Sequence, residues 1–133
     1  MKRILQVVAV AGLLIAGYIH LSLYFDGYRS VPIANLGRSF IANAVSATII
    51  AIALLFGLAR PRRSLRIVAD AAALAWAVGS LGALRLSRTS FGIFGFQEVG
   101  WQPAPEVALV VASVSIVLVC VAADLVLAWR RRA

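Results

Sequence analysis

This chain has very little with which to do chemistry in water. Its 133 residues include one cysteine (Cys120), one histidine (His20) and five acids. A single cysteine rules out an intrachain disulfide and leaves no CxxC redox or zinc pattern. Inside an apolar run, such a thiol is ordinarily a small packing residue. One histidine cannot supply a bis-histidine haem, and without a second soft ligand nearby it makes a poor metal site. The sequence holds no Ser/His/Asp set, P-loop, Rossmann glycine pattern or HExxH. The expectation is therefore no metal, no cofactor and no catalytic residue. An embedded enzyme would have only carboxylates, tyrosines and arginines to work with.

What the chain does have is hydrocarbon. Hydrophobic residues make up 62% of it, where soluble domains average ~45–50%. They gather in four runs, at positions 4–25, 39–59, 67–86 and 106–129. Each run approaches or exceeds the ~20 residues needed to cross a bilayer as a helix. Lipid offers the backbone no hydrogen-bond partner, so such segments cross as helices. The reading is an all-α integral membrane protein, a four-helix bundle forming one membrane domain over 1–133. Lys2-Arg3 before an apolar stretch resembles a signal peptide. That stretch, however, runs on to Phe25, so it reads as an uncleaved first span.

Charge sets the expected orientation. Of the 13 basic residues, nine fall at Lys2, Arg3, Arg60, Arg62, Arg63, Arg66, Arg130, Arg131 and Arg132. These flank the first span, the gap between spans two and three, and the end of span four. The positive-inside rule places them, with both termini, in the cytoplasm. The net charge of +8 thus implies contact with anionic headgroups at the cytoplasmic face rather than with nucleic acid. The setting expected is a multi-pass protein of the plasma membrane.

The gaps carry turn chemistry. Asp26-Gly27 opens the first outer loop, 26–38, which also holds Pro32 and Gly37. Pro61 disfavours helix at Arg60, so spans two and three should break there and pack as antiparallel neighbours. The second outer loop, 87–105, alternates Phe91, Phe94, Phe96 and Trp101 with Gly92, Gly95 and Gly100. Aromatics at this level form an interfacial belt. Both outer loops run acid, glycine, aromatic, proline (Asp26, Gly27, Tyr28, Pro32; then Glu98, Gly100, Trp101, Pro103), an echo that common turn composition explains by chance. In span three, Ala71, Ala75, Gly79 and Ala83 share one helix face. A ladder of small residues lets a second helix approach closely.

Ionisable groups inside a span are costly and so draw attention. Asp70 lies about 5 Å into span three and Asp124 about 8 Å from the end of span four. Both sit toward the basic side. Arg66, one turn before Asp70, can pair with it, and the inner arginines can reach Asp124. These acids read as neutralised structural groups, with a cytoplasm-facing proton or cation site as the alternative. His20 lies near the outer end of span one and shares a face with Tyr24. An outer-facing pocket would draw on His20, Tyr24, Asp26, Tyr28, Arg29 and Glu98. Asn43 should bond to a neighbouring span, a link worth only ~0.6–2 kcal/mol.

Two segments, HLSLYFDGYRSVPIANLGRSFIAN at 20–43 and FGIFGFQEVGWQP at 91–103, resemble small uncharacterised four-span integral membrane proteins of high-GC bacteria. The resemblance implies an architecture and no activity. A looser likeness, in span number and size, is to the DoxX-like four-span proteins, some of which are linked to respiratory or redox complexes. The small multidrug resistance transporters also have four short spans, but their membrane-embedded glutamate in the first span has no counterpart in 4–25. Three functions follow as expectations. The first is a non-enzymatic accessory or scaffold subunit, with a membrane protein partner or a second copy on the span-three ladder. The second is a small-molecule or proton carrier with the pocket near His20. The third is a quinone-contacting subunit of a redox complex.

Overall fold

The computed structural model describes residues 2–60, 62–98 and 104–130. It contains four long helices, α1 (Lys2–Asp26), α2 (Ala34–Ala59), α3 (Arg63–Leu86) and α4 (Ala104–Arg130). A single 3₁₀ turn, Tyr28–Ser30, lies between α1 and α2. At 24 to 27 residues, each helix is about 36–40 Å long. All four are long and apolar enough to cross a membrane. The surplus over the ~30 Å of bilayer hydrocarbon is of the size that helix tilt absorbs.

Each helix packs on two others: α1 on α2 and α4, and α3 on α2 and α4. The chain thus closes into a ring of antiparallel neighbours. Its core is made of small and β-branched side chains, with Ala9, Leu13, Ala16, Ala47, Leu54, Ala73, Ala77, Val114 and Val117 fully buried. Small residues let the backbones approach. An added Cβ on Gly12 would stand 2.8 Å from Val117 Cγ2 and 3.0 Å from the Ser113 carbonyl oxygen. Only glycine fits at this crossing of α1 and α4.

The outside is as apolar as the inside. Ile4, Ile15, Ile49, Ile52, Phe56, Val68, Val78 and Val119 all point outward. In water, so much contiguous exposed hydrocarbon would drive association. Facing acyl chains, it is the ordinary exterior of a bundle.

The helices run past the apolar runs that signal them. α2 starts at Ala34, where the hydropathy pattern predicts Ser39, and α3 starts at Arg63, where it predicts Ile67. The reason is that a helix need not end where hydrocarbon does: alanine, leucine and arginine are good helix formers, and water or headgroups solvate the polar side chains. The first loop therefore shrinks to a few residues. Arg60 closes α2 in an extended conformation (φ −123°, ψ 101°), as a residue before proline should. Pro61 itself lies outside the described residues, as do Gly100, Trp101 and Pro103 of the second loop and Arg131 and Arg132 of the tail. The second half of the loop echo falls there too.

Candidate functional site

The two loops at one end of the bundle meet over a cavity of about 170 Å³. The second loop closes it with a tight hairpin, in which Ile93 and Phe96 exchange both backbone hydrogen bonds at 2.8 Å. Phe94 (φ 54°) and Gly95 (φ 81°) form the turn, and paired positive φ values suit a short hairpin. Gly92 also has positive φ, and a Cβ there would lie only 2.4 Å from the Phe96 carbonyl oxygen. The backbone hydrogen bond from Glu98 N–H to the Ser87 carbonyl (2.7 Å) returns the loop to the end of α3.

Tyr28, on the 3₁₀ turn, ties the loops together. Its ring stacks on Phe40 of α2 (centroids 4.4 Å apart) and meets Phe96 edge-on at 6.0 Å. Its hydroxyl donates to Glu98 Oε2 at 2.5 Å. Burial, and then this hydrogen bond to a carboxylate, push the Tyr28 phenol well above the usual range, with Arg88 partly opposing them. Both dominant causes disfavour the phenolate.

The cavity wall is mainly apolar, with Leu23, Leu36, Ile93, Val107 and Val110 among its residues. The polar groups in it are specific. His20 Nδ1 lies 2.7 Å from the Ala16 carbonyl oxygen one turn back. Donation from Nδ1 leaves Nε2 of the neutral ring as an acceptor. Asn43 Nδ2 donates to Ser80 Oγ of α3 at 2.9 Å, while Asn43 Oδ1 is buried without a partner. Arg88 donates to the Leu84 carbonyl and to Ser87 Oγ, both at 2.9 Å. Trp76 Nε1 donates to the Asn43 backbone carbonyl at 3.3 Å. This bond and the Asn43–Ser80 bond link α2 to α3 beside the cavity.

The residues expected around an outer pocket divide into two groups. His20, Tyr28 and Glu98 line the cavity. Tyr24, Asp26 and Arg29 lie elsewhere: Tyr24 packs edge-on against Phe25, Asp26 accepts from Ser22 Oγ at 2.9 Å, and the Arg29 guanidinium sits 6.0 Å from the Phe25 ring. Phe40, Ser39, Ser80, Ser87 and Arg88 were not expected in the wall. Ser80 was legible in principle, since it sits one and two turns from Trp76 and Ala73 on the inward face of α3.

At the opposite end, Arg66 makes a two-pronged hydrogen bond to Asp124, Nε to Oδ2 at 2.9 Å and Nη2 to Oδ1 at 2.6 Å. Asp70 is the more distant partner of the same guanidinium, at 3.8 Å. Both acids are buried. The span-three ladder points away from the bundle: Ala71, Ala75 and Gly79 are exposed and Ala83 half-buried. The inward face of α3 is instead Ala69, Asp70, Ala73, Trp76, Ala77 and Ser80. Among the described residues, no group of three or more His, Cys, Asp or Glu is placed to hold a metal. The chain matches no family model, no curated protein and no solved structure.

Proposed function

We propose that this is a multi-pass membrane protein that binds a small, largely apolar molecule carrying a hydrogen-bond donor, in the cavity beneath its two loops. The observation that carries this reading is the cavity wall itself. An engineered apolar cavity of about 150 Å³ accepts benzene, so this one suits a single small ring. Among the described residues of its wall, Asn43 Oδ1 is buried without a partner, and donation from His20 Nδ1 leaves Nε2 as an acceptor. A phenol or hydroquinone-like headgroup complements them, whereas a group bearing only acceptors does not. Nine of the 13 basic residues favour an orientation with both termini and the α2–α3 turn in the cytoplasm, which puts the cavity on the outer side. The resemblance of 20–43 and 91–103 to four-span proteins of high-GC bacteria favours a bacterial plasma membrane.

Thermal unfolding of the chain in lipid nanodiscs, with phenol and with benzene as probes, tests the binding. Phenol should stabilise the protein by RT ln(1 + [L]/Kd) and benzene should do so less. Asn43→Leu and His20→Phe should each erase the preference for phenol. Equal shifts for both probes in all three proteins would refute the assignment of those acceptors. For a carrier, His20→Ala must also abolish uptake of the bound compound into vesicles while the protein stays folded.

A second reading rests on the outward ladder of α3. Ala71, Ala75 and Gly79 offer a flat, shallow face on the lipid side, which suits close packing by a partner helix or a second copy. This is the accessory or scaffold role. Its test is cross-linking through Ala75→Cys in intact membranes, where a specific adduct supports it and a monomer counts against it.

A further inference from the structure

Among the described residues, the buried charges at the Arg66 end of the bundle do not balance. Two carboxyls, Asp70 and Asp124, are 1% and 0% exposed. One guanidinium, Arg66, serves both, and its two-pronged hydrogen bond is spent on Asp124. Asp70 is left 3.8 Å from Arg66 Nε, with neither oxygen hydrogen-bonded. Gln6 of α1, 3% exposed, faces Asp70, and its Nε2 also lacks a partner. Among the described residues, no other basic side chain forms an ion pair with either acid, and Arg3, Arg60, Arg62 and Arg130 are exposed. Arg63 turns to the Ala128 carbonyl at 3.4 Å. The only ionisable residue in α2 is Arg38, at the far end. A bare carboxylate in so dry a place is very costly. Two buried carboxyls within 4 Å of one cation commonly resolve the cost by sharing a proton.

We propose that Asp70 and Asp124 together hold one exchangeable proton inside the bundle, with Arg66 balancing the remaining charge, so that this end is a proton-binding site. With the proton bound, the set of Arg66, Asp124 and Asp70 is neutral. The protonated carboxyl donates its O–H within the pair, and Gln6 supplies an amide to the other side of Asp70. Loss of the proton leaves one uncompensated negative charge among α1, α3 and α4. The Arg66 side chain is 22% exposed and forms the route to the aqueous side. This inference is independent of the cavity at the other end.

The test is infrared spectroscopy of the full chain in nanodiscs at neutral pH, read at the C=O stretch of protonated carboxylic acids. Asp70→Asn should lose the amplitude of one carboxyl, and Asp124→Asn should lose the same amplitude. Each leaves a single carboxylate to pair with Arg66, so neither needs a proton. Asp26→Asn, at an exposed acid, should lose nothing. The proposal is overturned if the wild type shows no such band, or if either Asn variant keeps the full amplitude. It is also overturned if the band appears only when sodium is replaced by choline, since the occupant would then be a metal cation. Failure of both Asn variants to fold would overturn it too, because a single carboxylate paired with Arg66 would not then be a tolerated state.

Discussion

Removing the Arg66 guanidinium is the most informative single perturbation of this protein. Its side chain is only 22% exposed, and it makes hydrogen bonds of 2.6 and 2.9 Å to Asp124, which is fully buried. Arg66→Met keeps most of the apolar stem and deletes the charge. Breaking a buried pair by removing one partner costs about 3–5 kcal/mol, because the other charge stays behind uncompensated. Here one negative charge shared by two buried carboxyls loses its cation, so the middle of that range applies. A loss of about 4 kcal/mol is a nearly thousandfold change in the folding equilibrium. The assay is reversible unfolding in mixed micelles, with Arg63→Met as the control. Arg63 is exposed and reaches only a backbone carbonyl at 3.4 Å, so its loss should lie within ~0.5 kcal/mol of wild type. The Arg66→Met deficit should shrink as pH falls, since protonated carboxyls need no counter-charge. Exchanging Arg66 and both acids together for apolar residues should restore most of the stability. If Arg66→Met costs no more than Arg63→Met, the cluster is solvated and the reasoning fails.

Four further outcomes are expected. Gly12→Val should destabilise the bundle by about 1–3 kcal/mol through overpacking against Val117 and the Ser113 carbonyl. Gly79→Val should leave monomer stability nearly unchanged, because nothing lies within 4 Å of its Cβ position, and the same unfolding assay compares the two. In an alkaline absorbance titration, one of the three tyrosines should stay un-ionised well past the pH at which ordinary phenols titrate, and Tyr28→Phe should remove that late component. The raised phenol also predicts a stability contribution that is complete below about pH 10, the unfolded value, and lost as pH climbs toward the folded one. Wild-type stability should therefore fall above pH 10 more steeply than that of Tyr28→Phe.

The four helices are legible in the sequence because lipid imposes one rule everywhere: a long apolar run must satisfy its own backbone. The ends are less legible, since hydropathy reports where hydrocarbon stops and not where helix stops. That is why Asn35, Leu36 and Arg38 fall inside α2. Arg66 could be paired with Asp70 from their spacing alone, but the stronger bond to Asp124 depends on how α3 and α4 are rotated. The same rotation turns the ladder of Ala71, Ala75 and Gly79 outward and Ala73 and Ala77 inward. Both series have equal four-residue spacing, so pattern alone cannot choose between them. The cavity was half visible. His20, Tyr28 and Glu98 stand out by chemistry, whereas Ser39 and Ser80 look like ordinary helix serines, and Ser87 like a loop serine, until two loops fold over them.

Because the ring of helices is closed by α4 meeting α1, a segment translated after the other three completes structures begun by the first. Val117 fills the notch at Gly12, and Asp124 supplies the two-pronged acceptor for Arg66. A nascent chain with three helices in the bilayer therefore holds an arginine whose best counter-ion has not yet been made and a groove without its ridge. Insertion of the fourth helix supplies the buried counter-charge and the packing ridge in one step.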